Sequence, residues 1–209
     1  MTSAVPMNAS YDYTNLPHVV RSGVKLGTMQ GVLIVLFAVL QPRLDGMAET
    51  LGCGAILLAG IALTITLPGT WTRARTIEGI AGAAGIGFAS AITFLVLDVA
   101  IFQSVHLYTN RWLEIGGGSN WWYHPVWWMV GTFMPWMGAW ILANQTAKTG
   151  EASPVVLVIG TVILALVCLT IGIVIGVPNA GWNLGSVSVA VLPALAVYTA
   201  LTSIGVPRR

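Results

Sequence analysis

Six stretches of the chain are apolar over roughly the 20 residues that a membrane-crossing helix needs, and polar or turn-forming residues fall between them. They cover about 24–41, 50–67, 77–103, 122–144, 154–177 and 184–206. This pattern predicts an all-α integral membrane protein of about six transmembrane helices, forming a single domain over 23–206. The spans use most of the chain and leave no room for a soluble domain. The first 22 residues read as a polar tail: with Pro6, Asp12 and Pro17 they lack the basic start and apolar core of a cleaved signal peptide. The first span itself, VKLGTMQGVLIVLFAVLQ, can serve as an uncleaved signal anchor, and residues 207–209 form a short end.

The connections carry turn chemistry. PRLDGMAET places Pro42 at the end of the first helix and Asp45 with Gly46 in a short turn. LPGTWTRART puts Trp71 at headgroup depth with Arg73 and Arg75 beyond it, and Thr76 is a candidate N-cap for the third helix. VPNAGWN is tight enough to make the last two spans a hairpin, and the sizeable loop runs from about 104 to 121.

Composition agrees with the pattern: 56% of positions are hydrophobic and 8% charged, against roughly a quarter charged in an ordinary soluble domain. The net charge of +2 is less informative than its distribution. With six spans, Arg21, Lys25, Arg73, Arg75, Lys148, Arg208 and Arg209 fall on one side, and Arg43 and Arg111 on the other. The positive-inside rule then places both termini in the cytoplasm of a bacterial-type inner membrane, and the long loop outside. Cys53 and Cys168 both lie within spans and lack CxxC spacing, so they read as small buried hydrophobes.

In the third span Gly79, Ala83, Gly87 and Ala91 recur every four residues, the small-residue spacing that lets helix backbones approach closely in lipid. Asp98 projects toward that same face at 100° per residue. An ionisable group in a membrane helix is a candidate functional site, although near a helix end it can equally hydrogen-bond a neighbour. SNWWYHPVWW at 119–128 opens the fourth span. Trp112, Trp121, Trp122, Trp127, Trp128 and Trp182, with Tyr108 and Tyr123, are expected at the outer interface as an aromatic belt. Pro125 suits the first turn of its helix, and Pro135 should kink it and free a carbonyl.

Asp98, His106, Arg111, Glu114 and His124, with Met129, Met134 and Met137, form the candidate polar constellation. Two histidines and a carboxylate suit zinc or copper, but the histidines are 18 positions apart with no helical-face spacing, and no metal site is expected. No serine, threonine or cysteine is placed for nucleophilic catalysis, so the chain reads as a non-enzyme. Gln30, Thr64, Thr93, Thr132, Thr161, Thr170, Ser186, Ser188 and Tyr198 are mostly hydroxyls that their own helices can satisfy. No inverted repeat of the kind found in many transporters is evident. The leading expectation is a non-catalytic accessory subunit of a larger energy-transducing membrane complex, respiratory or photosynthetic. It would dock through Gly/Ala-rich helix faces and a tryptophan-rich outer surface. Its partners would be other membrane subunits and lipids, with quinone or pigment contacts possible and no nucleic acid. The rival is a small-solute channel or carrier using Asp98, and a more distant one an outer-surface metal or redox site.

Overall fold

The computed structural model describes residues 15–107 and 123–206, with the side chains of Tyr123 and His124 outside that description. The chain forms α1 (Leu16–Leu40), a 3₁₀ turn at Gln41–Arg43, α2 (Gly46–Trp71), α3 (Ile77–Leu97), a π turn at Asp98–Phe102, α4 (Tyr123–Thr149), α5 (Pro154–Val174) and α6 (Leu184–Ser203). Among the described residues six helices are long and apolar enough to cross a membrane, and no strand occurs. This is an all-helical multi-pass membrane protein.

The helix starts follow local chemistry. α1 begins eight residues before the apolar stretch that starts at 24, because Asn15 accepts a hydrogen bond from the His18 N–H (3.4 Å) and Pro17 occupies the first turn. Thr76 caps α3 through the Gly79 N–H (3.3 Å), Ser153 caps α5 through that of Val156 (3.3 Å), and Asn183 caps α6 through that of Ser186 (2.9 Å). α2 closes differently: the Ala74 N–H donates to the Gly69 carbonyl (2.9 Å) around Arg73, whose φ is +46°. Glycine is the usual occupant of that left-handed position, and any other residue there costs about 1 kcal/mol.

α3 lies between α1 and α4 and makes its closest approaches through small residues on both sides. Toward α1, a Cβ added at Gly27 would stand 2.6 Å from the Ser90 carbonyl, and one at Gly23 would collide with Ala89. Gly31 faces Leu97 and the Phe102 ring. Toward α4, Gly87 abuts Pro135 and the Gly131 carbonyl, and a Cβ at Gly131 would lie 2.6 Å from that of Ala91. Because Pro135 has no N–H, the Gly131 carbonyl lacks its usual partner one turn on, and the absence of a side chain at Gly87 leaves room for it. Gly79, Ala83, Gly87 and Ala91 are all buried. That face therefore packs inside the chain, against α4 and the α2–α3 turn, and is not open to another subunit.

The opposite face of α4 meets α2, where Gly138 abuts the Ile65 backbone and Gly69 packs on Ala139 and Leu142. α5 and α6 pair as an antiparallel hairpin in which Gly160 accommodates the Tyr198 ring, and the Tyr198 hydroxyl donates to the Val156 carbonyl (3.2 Å). An apolar core with Ile65, Ile141, Leu142, Leu157, Val191 and Leu195 joins this hairpin to α2 and α4. At the end of α4 the buried Asn144 donates to Thr202 (3.2 Å) and Ser203 (3.0 Å) of α6.

Candidate functional site

Three features stand out from the apolar packing. The first is the end of α3. Its last turn widens at Asp98–Phe102, where the Gln103 N–H reaches the Asp98 carbonyl five residues back (2.9 Å). Single π turns of this kind recur at functional sites. Asp98 is fully buried, and its carboxylate accepts from the Gln103 side-chain amide at 2.7 Å. The widened turn brings Phe102 back over Phe94 (6.5 Å between ring centroids), and Phe94 in turn packs on Trp127 of α4 at 5.1 Å. The carboxylate thus sits in protein rather than at the headgroups. His106 does not join it: it is exposed and takes the left-handed position (φ +53°) that closes the segment, with the Leu107 N–H returning to the Phe102 carbonyl (2.9 Å). Arg111, Glu114 and the side chain of His124 lie outside the described residues, as do Tyr108, Trp112, Trp121 and Trp122.

The second feature is a polar clasp deep in the bundle. The Gln30 side chain of α1 donates to the Thr64 hydroxyl of α2 (2.9 Å) and accepts from the Ser90 hydroxyl of α3 (2.7 Å), while Thr64 donates to the Gly60 carbonyl (2.7 Å). One amide therefore links three helices where lipid offers no alternative partner. Most other hydroxyls in the spans bond to their own helix, as in Thr66 to Ala62 (2.6 Å), Thr93 to Ala89 (2.8 Å), Thr132 to Trp128 (2.7 Å) and Thr161 to Leu157 (2.8 Å).

The third feature is the free face of α4. Trp128, Trp136 and Trp140 are exposed along one side of the helix, and the twelve-residue separation of the first and last corresponds to about 18 Å along its axis. This row runs down through the apolar thickness instead of staying at one interface. Trp128 meets Phe88 edge-on at 6.3 Å, and Trp136 packs on Trp140 at 6.1 Å. With Met129, Val130, Thr132, Phe133 and Leu192 of α6, Phe88, Trp128 and Trp136 line an open groove of about 600 Å³. Thr132 gives its hydroxyl to its own helix, so the indole N–H groups are the polar atoms its side chains leave available. Trp127 turns inward on Phe94 and is half-buried, whereas Trp182 is exposed.

Sequence reasoning missed the α1 repeat Gly23, Gly27, Gly31, although its four-residue period is the same signal as the one read in α3. It also passed over Ser90 and the Trp136–Trp140 continuation. A helical-wheel reading at 100° per residue places Trp136 and Trp140 about 40° apart and all three tryptophans within an arc of about 120°. Compared with known proteins, the chain matches no protein-family model, no curated protein and no solved structure.

Proposed function

We propose that this protein is a non-catalytic subunit of a larger energy-transducing complex, respiratory or photosynthetic, in a bacterial-type inner membrane. The observation that carries the reading is the exposed aromatic groove of α4, lined by Trp128 and Trp136, continued onto Phe88 and Leu192, with the exposed Trp140 packed on Trp136 beyond it. Aromatic rings combine a large apolar contact area with few torsions, which suits a surface that holds a neighbouring helix, quinone or pigment. The interior supports the same reading. Its helix contacts are closed by glycine, and the clasp at Gln30 satisfies its polar groups internally.

Both termini are assigned to the cytoplasm. Lys25 lies over Trp71, Gly69 packs on Leu142, and Asn144 bonds to Ser203, so Arg21, Lys25, Arg73, Arg75 and Lys148 gather at one end of the bundle while Arg43 lies at the other. That asymmetry is the positive-inside signature. The buried carboxylate of Asp98 in its π turn favours a second reading, a small-solute channel or carrier.

Gentle detergent extraction from the native membrane, followed by native-size separation, mass spectrometry and an absorption spectrum, tests the proposal. Migration with redox or pigment proteins is expected, and Trp136→Ala should weaken it without changing the stability of the isolated chain. Migration as a small colourless oligomer, together with solute uptake lost on Asp98→Asn, would overturn the subunit reading in favour of transport.

A further inference from the structure

At the Trp71 end of the bundle, cations collect along one edge of α1 and the α2–α3 turn. The Lys25 ammonium lies 5.2 Å from the centroid of the Trp71 ring. Arg21 is exposed one turn earlier on the same face of α1, and Arg73 is exposed two residues beyond Trp71. Among the described residues none of these three has a carboxylate partner, although the exposed Glu78 lies nearby in the first turn of α3. Arg73 also holds a left-handed position at the close of α2 that glycine would occupy more readily. Below the charges, the same face of α1 turns apolar and stays exposed at Val32, Leu36 and Val39.

We propose that Arg21, Lys25 and Arg73, arranged around Trp71, seat the phosphate of an anionic phospholipid whose acyl chains lie along Val32, Leu36 and Val39. Tryptophan settles at headgroup depth. The cation–π contact holds the Lys25 ammonium at that depth, where an unrestrained lysine would range more widely. Three exposed cations without carboxylate partners among the described residues leave their charge open to an external anion, and a basic patch beside apolar helix surface fits a lipid headgroup with its tails attached. A zwitterionic choline lipid would bring its own cation into the same space. Such a lipid seat is compatible with a subunit and with a carrier alike.

The test reconstitutes the full chain in nanodiscs of phosphatidylcholine with a minor fraction of phosphatidylglycerol and counts retained lipids by native mass spectrometry. Phosphatidylglycerol should be enriched on the protein above its bulk fraction, and Lys25→Gln and Arg21→Gln should each cut that enrichment about fivefold. Arg73→Gly should cut it similarly while leaving the thermal midpoint in neutral detergent unchanged or higher, since glycine suits the turn. That combination separates loss of the seat from loss of the fold. A second arm adds inorganic phosphate to phosphatidylcholine discs and is expected to leave the thermal midpoint unmoved. Retention of the two lipids in their bulk ratio would overturn the proposal, as would stabilisation by phosphate alone equal to that by phosphatidylglycerol.

Discussion

Replacing Gly138 by alanine puts a methyl group into the closest approach between α2 and α4. The new Cβ would fall against the Ile65 carbonyl oxygen, 2.8 Å from its carbon and 3.0 Å from the Ile65 Cα. All three atoms are backbone, so no rotamer change relieves the contact and the two helices must separate. Separation also loosens Gly69 against Ala139 and Leu142, and Ile65 against its core neighbours. Overpacking of this kind costs up to about 3 kcal/mol. Alanine regains about 1 kcal/mol of helix propensity, leaving a net loss of about 2 kcal/mol. Gly60 is the control: it lies in the same α2 helix as Ile65 but faces α1, and its added Cβ would meet only Leu33, at an ordinary 3.6 Å. Gly60→Ala should therefore stabilise by up to about 1 kcal/mol. Unfolding in mixed micelles of increasing SDS fraction, followed by circular dichroism, reads both variants. Because the obstacle is the Ile65 backbone, Ile65→Val should not rescue Gly138→Ala. Equal stability of the two alanine variants would refute the assigned α2–α4 approach.

The clasp predicts coupling between helices. In a double-mutant cycle of Gln30→Leu with Ser90→Ala, the interaction term should be about 0.6 kcal/mol and no more than about 1.7 kcal/mol, the range of hydrogen bonds inside membrane proteins; additive effects would argue against the bond. At the π turn, Asp98→Leu leaves the Gln103 amide without its acceptor and should cost about 1–3 kcal/mol. Asp98→Asn keeps a carbonyl oxygen for that amide and should cost less, both read by the same unfolding assay. A reporter active only in the cytoplasm should be active when fused at either terminus and silent when inserted after Arg43; the reverse pattern would contradict the assigned orientation.

The six helices were legible because apolar length alone marks a membrane span, and proline or capping residues mark most of the boundaries. α1 was read short at its start because Pro17 beside polar residues resembles a tail, whereas its fixed φ also suits a first helical turn. The face formed by Gly79, Ala83, Gly87 and Ala91 was visible as a period of four, but nothing local says which helix fills it. The answer depends on Gly131 and Pro135, forty or more residues later. Asp98 could be flagged as an ionisable residue on a packed face, but its π turn could not, since that turn depends on how Phe102 packs on Phe94 and Gly31. The aromatic belt was read from the density of SNWWYHPVWW, and that density drew attention away from Trp136 and Trp140, which carry the row along α4. Arg73 reads simply as a positive-inside charge until its φ is known.

The docking role of α4 is tested most directly by a photo-crosslinking residue placed at Trp136 and activated in the native membrane, with the exposed Ile163 of α5 as the control position. If α4 is a docking face, one membrane protein of defined mass is joined at position 136 and none at 163. Crosslinks to lipid alone at both positions, or the same scatter of proteins at both, would contradict it.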